Sequence, residues 1–213
     1  MSTAGLGVVA QGRMRGISIA GLGAVAEGSL EGVSIAGLGV VSQGRLLGIS
    51  LAGLGAVAEG DLQGFTLAGL GTVSQGDVQG LAVGGLATVA EGDVQGIALG
   101  GLAVVSGREI QGISIGTLGV VAENAITGLS IAGYRVESPV VTGLNVAGVY
   151  LKTYDFTGLS VSGYNRVRGF QTGVAIGVYN SARRLKGLQI GLLTRALNNK
   201  PPFRYLPLIN LHF

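Results

Sequence analysis

The sequence predicts an all-β protein built from tandem repeats of sixteen residues. A phrase that reads Gly-Ile-Ser-Ile-Ala-Gly-Leu-Gly at residues 16–23 recurs from the N-terminus to about Gly128. The chain has 41 glycines, which exclude a helical array because glycine costs about 1 kcal/mol per helical position relative to alanine. Apolar and small residues alternate at period two, as in residues 17–20, which is typical of a β-strand. Function is therefore expected from the assembled repeat surface.

The repeat continues to the last residue, so residues 1–213 are predicted to form a single array. Residues 1–128 keep the sixteen-residue spacing, and residues 129–213 hold looser copies that end in a terminal strand. One glycine column marks every copy: Gly16, Gly32, Gly48, Gly64, Gly80, Gly96, Gly112, Gly128, Gly143, Gly158, Gly173 and Gly187.

The composition is too apolar for an ordinary soluble surface. Hydrophobic residues make up 47% of the chain and charged residues 12%, whereas soluble domains have about 25% charged residues. Much of the apolar surface is therefore expected to be buried inside the array or to face lipid. The longest charge-free stretch, residues 62–76, is too short and too rich in glycine for a transmembrane helix.

The first architecture that fits the repeat is an antiparallel up-and-down meander that closes into a transmembrane-type β-barrel of about fourteen strands. Dipeptides with glycine first, such as Gly28-Ser29 and Gly60-Asp61, match a type II′ hairpin turn. The charge-free stretches between turns, such as residues 32–44, would span about 30 Å when tilted, the thickness of a bilayer core. A second period of thirty-two residues, which alternates Glu27 with Gln43, matches a hairpin with one kind of turn at each rim.

The C-terminal strands alternate an apolar face with a small and polar face, as a barrel wall does. The residues predicted to face the lumen are Asn145, Ser160, Gln171, Gln189 and Arg195. The last strand carries aromatic and apolar residues at alternate positions: Tyr205, Ile209, Leu211 and Phe213.

This ending resembles the terminal strand signal of bacterial outer-membrane β-barrels. The phrase Gly-Leu-Gln-Ile-Gly-Leu at residues 187–192, followed by residues 206–210, also resembles bacterial surface-repeat proteins of the leptospiral type. The resemblance is close over the last third of the chain. It implies a bacterial outer-membrane or cell-surface location and no known catalytic residues, although no signal peptide is visible in the sequence.

The alternative architecture is a two-sided β-solenoid in which each sixteen-residue unit is one coil. Residues 17–20 and 24–27 would be short strands, with corners at residues 21–23 and 28–32. This arrangement places five residues inside, namely Ile17, Ile19, Leu22, Val25 and Leu30. It places five outside, namely Ser18, Ala20, Ala24, Ala26 and Glu27.

No enzyme is expected from this sequence, and no cofactor or metal site. The chain has no cysteine, and its one histidine, His212, lies next to the C-terminus, so the usual metal clusters and His-dependent nucleophiles are missing. The basic residues, densest at residues 183–186, have no aromatic platform beside them, which disfavours nucleic-acid binding.

Two functions fit these observations. The first is a porin-like or pore-forming barrel in contact with outer-membrane lipid, and the second is a soluble or surface-attached solenoid that acts as a scaffold or adhesin. Self-association is an expectation of the solenoid, whose flat Ser/Ala faces would pack against partners or against copies of the chain.

Overall fold

The computed structural model describes residues 2–212, and their regular secondary structure is β-strand. The first fourteen strands are β1 Ser2–Ala4, β2 Gly7–Ala10, β3 Met14–Ala20, β4 Gly23–Ala26, β5 Leu30–Ala36, β6 Gly39–Ser42, β7 Leu46–Ala52, β8 Gly55–Ala58, β9 Leu62–Ala68, β10 Gly71–Ser74, β11 Val78–Gly84, β12 Ala87–Ala90, β13 Val94–Gly100 and β14 Ala103–Ser106. The others are β15 Glu109–Gly116, β16 Gly119–Ala122, β17 Ala125–Ala132, β18 Arg135–Glu137, β19 Val140–Thr153, β20 Asp155–Ile176, β21 Tyr179–Ala196 and β22 Tyr205–His212. The chain packs as two compact units, unit 1 up to Gly112 and unit 2 from Ile113.

Strands of unit 1 pair in parallel with the equivalent strand of the next repeat. Ile17 lies opposite Val33, and Val25 lies opposite Val41. The seven-residue strands β3, β5, β7, β9, β11 and β13 form one ladder, and the four-residue strands from β2 to β12 form a second. Each repeat is therefore one coil of a β-solenoid. The prediction of an antiparallel meander, with its membrane-type barrel and pore, is wrong.

The prediction of hairpin turns is wrong because the glycines with left-handed backbone conformation lie at other positions. A type II′ turn needs a positive φ at its first central residue, which would be Gly28 or Gly60. Within residues 2–212 the glycines with positive φ are instead the column from Gly16 to Gly187, with φ between 101 and 138°. From Gly16 to Gly96 these glycines lie inside the seven-residue strands, where they bend the strand without reversing it.

This glycine column also lets the coils approach closely. Gly48 has a φ of +112°, and a Cβ on Gly48 would fall inside van der Waals contact with the carbonyl oxygen of Gly32. A side chain here would therefore meet both an unfavourable φ and the backbone of the neighbouring coil. The sixteen-residue glycine spacing follows from the stacking of one such corner on the next.

The interior of each coil in unit 1 is filled mainly by small side chains. In the coil that contains β5 and β6, the buried residues include Ser34, Ala36, Val40 and Ser42. One larger residue per coil is also buried, in the column Met14, Leu30, Leu46, Leu62, Val78 and Val94.

The solenoid alternative is confirmed as an architecture, but the two faces of its strands are the reverse of those predicted. Leu30 is inside as expected. Ser18, Ala20, Ala24 and Ala26, which were expected outside, are buried. Three residues expected inside are exposed, namely Ile17, Ile19 and Leu22, whose exposed fractions are 45%, 40% and 48%.

Narrow coils explain this reversal. β5 ends at Ala36 and β6 begins at Gly39, so two residues connect them. A connection this short holds the two strands close together, and only small inward side chains fit between them at normal packing density. The large residues of the alternating pattern therefore point outward, although burial in the core would favour them.

The thirty-two-residue period also has a different meaning from the one predicted. The backbone N–H of Gln43 donates to the carbonyl oxygen of Ala26, and the backbone N–H of Glu59 donates to that of Ser42. Glu27, Gln43 and Glu59 therefore follow one another on the same edge, not at opposite rims. The period also alternates an inward alanine with an inward serine: Ala26, Ser42, Ala58, Ser74, Ala90 and Ser106.

The inward serines of this column form hydrogen bonds to the backbone of the adjacent turns. The Ser74 hydroxyl lies 2.8 Å from the carbonyl oxygen of Gly60 and 3.3 Å from that of Asp77. Ser42 makes the same contacts with Gly28 and Arg45, at 2.8 and 3.2 Å. These turn carbonyls also accept backbone amides, since Gly60 accepts from Gly76 and Asp77 accepts from Leu62. The contacts therefore give the buried serine hydroxyls a hydrogen-bond partner.

Unit 2 has longer strands. β19, β20 and β21 have 14, 22 and 18 residues, and they pair in parallel with register shifts after Ala147 and Val167. β22 is antiparallel to β21, with Ile209 opposite Ile190. It covers the edge of β21, which would otherwise present unpaired backbone groups.

Candidate functional site

The most distinctive surface of unit 1 is an apolar face made of three columns of outward residues. The first column follows the left-handed glycines and contains Ile17, Val33, Ile49, Phe65, Leu81 and Ile97. The second, two residues later, contains Ile19, Ile35, Leu51, Leu67, Val83 and Leu99. The third lies at the corner between strands and contains Leu22, Leu38, Leu54, Leu70, Leu86 and Leu102. These three columns are the apolar face.

Backbone hydrogen bonds fix the spacing of the corner column. Leu38 donates its amide to the carbonyl oxygen of Leu22 at 2.7 Å, and Leu54 donates to that of Leu38 at 2.7 Å. The side chains of successive coils therefore lie about 4.8 Å apart, the separation of neighbouring strands. Leu38 is 47% exposed and Leu70 also 47%, so the column stands in solvent.

The apolar face is as large as the largest apolar patches found on soluble monomers. Six coils and about six residues of each coil give a face of about 29 Å by 20 Å, or roughly 600 Å². The largest apolar patch of a typical soluble monomer is roughly 300–600 Å² and is often an interaction site. The face carries no polar or charged side chain in any of its three columns.

The opposite boundary of each coil is a polar edge, where the charged residues of unit 1 are found. The Arg15 guanidinium lies 2.8 Å from the Glu31 carboxylate, and Arg13 lies 3.3 Å from it. Aspartates of successive coils accept backbone bonds along this edge. Asp77 donates its amide to Oδ1 of Asp61 at 3.1 Å, and Asp93 donates to Oδ1 of Asp77 at 2.9 Å.

Acidic residues of the polar edge occur in pairs, such as Glu59 with Asp61 and Glu91 with Asp93. The backbone hydrogen bonds already occupy one carboxylate oxygen in each of these pairs. Asp61 and Asp93 each use Oδ1 to accept a backbone amide. Among the described residues, no group of three or more His, Cys, Asp or Glu side chains is placed to hold a metal ion.

Unit 2 carries aromatic residues on its outer surface. Tyr150, Tyr164 and Tyr179 stack on consecutive coils, with ring centroids 5.2 and 4.8 Å apart. Arg184 lies over the ring of Phe170 at 5.0 Å, an attractive cation–π geometry.

A groove of about 620 Å³ lies on the charged side of unit 2. The Glu137 carboxylate in this groove is paired with Lys152 and lies 3.3 Å from Arg135. Arg168 and Tyr154 complete its rim, and the buried Ser138 hydroxyl beneath it has no hydrogen-bond partner. Glu123 also lines the groove. Because the Glu137 carboxylate is already paired with two cations, we assign no ligand to the groove.

Four of the five residues predicted to face a lumen lie inside the coils of unit 2. Asn145, Ser160, Gln171 and Gln189 are at most 1% exposed. Ser130 donates to Oδ1 of Asn145 at 2.8 Å, and Gln189 donates to Oε1 of Gln171 at 2.7 Å. The interior they face is packed with side chains. Arg195 lies apart from them, over the ring of Tyr205 at 5.3 Å.

The terminal-strand residues lie on the covering strand β22. Tyr205, Ile209 and Leu211 are exposed, and Phe213 lies outside the described residues. His212 approaches Asn199, with Nδ1 2.5 Å from the amide oxygen. Within residues 2–212, no helix is long and apolar enough to cross a bilayer.

Sequence reasoning missed the apolar face because it assigned the large residues to the interior. One signal could have revealed it. The Gly-Leu pair between the two strands of each repeat of unit 1, such as Gly37-Leu38, leaves room for small inward residues only. The small residues of the pattern then have to be the core, and the large ones the surface.

The comparisons with known proteins give no family for this chain: no family model, no curated protein and no solved structure matches it. The regular glycine spacing of the all-β chain is consistent with a surface-repeat protein. Its function has to be argued from the surfaces described above.

Proposed function

We propose that this chain is a β-solenoid scaffold, a structural protein or adhesin that works by presenting its periodic outer surface to a partner. The observation that carries the proposal is the apolar face of unit 1, where eighteen outward residues on six coils include no polar side chain. Apolar surface of this extent is favourable to bury, at about 25 cal/mol per Å².

The proposal does not include a catalytic step. The polar side chains of unit 1 serve its own fold, since Asp61 and Asp77 accept backbone amides and Glu31 pairs with two arginines. We extend the proposal to a bacterial cell-surface location. That extension rests on the resemblance of residues 187–192 to leptospiral-type surface-repeat proteins.

Retention on an apolar resin tests whether the surface works as a distributed array. Leu38→Gln, the double variant with Leu54→Gln and the triple variant with Leu70→Gln each remove one more corner leucine from the face. We expect the full chain, loaded at high dilution so that no second copy covers the face, to bind octyl-agarose and to elute earlier with each added substitution, because every coil contributes similar apolar area.

The control replaces polar-edge residues in three coils, with Gln63→Ser, Gln79→Ser and Gln95→Ser. These variants should elute with the unchanged chain, and circular dichroism should show that all variants keep their strands. Unchanged retention of the triple leucine variant would contradict the proposal. So would complete loss of retention in a single leucine variant, since that result indicates one localised site.

A further inference from the structure

We propose that the apolar face of unit 1 is covered by the same face of a second copy of this chain. This inference rests on the scaffold function and names its partner. The observation behind it is that the three uncharged columns lie side by side in parallel register. The face therefore has regularly spaced ridges and grooves. Two copies related by a two-fold axis would bring identical surfaces together.

The relief of the face suits packing against itself. Each coil contributes a ridge of large side chains, such as Ile49, Leu51 and Leu54, and successive ridges are about 4.8 Å apart. A second copy has the same ridge spacing, so its ridges fit the grooves of the first along the whole ladder. Two sheets packed in this way lie about 10 Å apart, as in a β-sandwich.

The area of the face is sufficient for a stable pair. A specific interface buries at least about 600 Å² per partner, and the flat dimensions of the face already reach roughly that value. Its fully apolar character exceeds that of an average interface, which is about 57% apolar, and resembles the core of an obligate homodimer. No charge has to be desolvated when the two faces meet.

The charges of unit 1 disfavour a membrane as the occupant. Residues 1–112 contain four basic and eight acidic side chains, a net charge of −4, which anionic lipid headgroups repel. Proteins that lie on a bilayer surface carry lysine and arginine beside the apolar face and aromatic residues at the interface. Unit 1 has one aromatic residue, Phe65, and its ion-paired polar edge offers few free cations.

Sedimentation equilibrium of the full chain at concentrations up to about 100 μM tests the pairing. We expect a defined dimer without detergent and a monomer in octyl glucoside, which covers apolar surface. The double variant Leu51→Glu with Leu67→Glu places charges on adjacent coils of the face and should be monomeric without detergent. Both positions point outward, and Leu67 is 41% exposed, so the fold should be retained.

The matched control is Gln63→Glu with Gln79→Glu, which adds the same two charges to adjacent coils at the polar edge. It should remain dimeric. A wild-type chain that is monomeric at 100 μM would overturn the pairing, as would a Leu51→Glu and Leu67→Glu variant that still dimerises. Co-sedimentation of a monomeric chain with phosphatidylcholine and phosphatidylglycerol vesicles would identify lipid as the occupant instead. Graded octyl-agarose retention of a monomer would leave the scaffold function standing while rejecting the second copy.

Discussion

The inward serines of unit 1 are not equivalent, although they look alike in sequence. Ser74 is within hydrogen-bond distance of the carbonyl oxygens of Gly60 and Asp77. Ser50 is equally buried, yet its hydroxyl has no partner. A buried hydroxyl without a partner costs stability, whereas a paired hydroxyl contributes about 1 kcal/mol. Ser50 belongs to a second inward column, which contains Ser18, Ser34, Ser50, Thr66 and Ala82. The two columns should therefore respond differently to removal of the hydroxyl.

Replacement of each serine with alanine tests this difference. Ser74→Ala should lower the free energy of unfolding by about 0.5–1.5 kcal/mol, because it removes a buried hydrogen bond between the hydroxyl and a turn carbonyl. Ser50→Ala should be neutral or stabilising. Alanine fits both columns, as Ala58 and Ala82 show, so neither change should strain the core. Urea denaturation followed by circular dichroism measures both, and an equal loss in the two variants would refute the distinction.

At the scale of one column of residues, the glutamates of the polar edge are spaced so that repulsion between their carboxylates is limited. The aspartates Asp61, Asp77 and Asp93 do lie on consecutive coils, where Oδ1 of each accepts a backbone amide. Glu27, Glu59 and Glu91 are separated by Gln43 and Gln75 in the intervening coils. Glutamates on consecutive coils would be about 4.8 Å apart, where like charges repel. On alternate coils they are about 10 Å apart, close to the Debye length at physiological salt. The thirty-two-residue period thus has an electrostatic consequence.

The double variant Gln43→Glu with Gln75→Glu removes this separation and creates a column of five glutamates. We expect a lower thermal midpoint at pH 7 in dilute buffer. The loss should shrink in 1 M NaCl through screening. The matched change to Gln43→Ser with Gln75→Ser adds no charge and should show no salt dependence. A midpoint independent of salt in the glutamate variant would contradict this account.

At the scale of the whole molecule, sixteen residues are the length that closes one coil. Every outward, inward and left-handed position recurs at that interval in unit 1. A deletion of sixteen residues therefore removes one coil and restores the register. A deletion of eight residues shifts every later residue by half a coil, so that residues of one strand take the positions of the other strand.

Deletion of residues 33–48 should give a folded protein that is one coil shorter, with the same circular dichroism per residue. Deletion of residues 33–40 should give an aggregated or unfolded chain. In that variant the buried Leu46 would fall at an exposed corner position, and Gly48 would leave the position that requires positive φ. Circular dichroism and light scattering of the two variants check this. Equal folding of both would show that the register is not essential.

The sequence by itself determined the class of structure and its period. Glycine content excluded helices, alternation at period two predicted strands, and the column from Gly16 to Gly187 marked each repeat. The chain-wide excess of apolar residues also indicated a surface unlike that of ordinary soluble domains. These features are local, and they follow from backbone freedom and side-chain alternation alone.

Only the tertiary structure decided the direction of the strands and which face is the core. Alternation fixes that Ile35 and Ser34 point to opposite sides, but it does not say which side is inside. A meander and a solenoid share the same period, because a repeat can end in a reversal or in the closure of a coil. The choice depends on pairing between residues sixteen apart and on the narrow space between β5 and β6. That space admits small residues only, so Leu38 and its column form the surface of the protein.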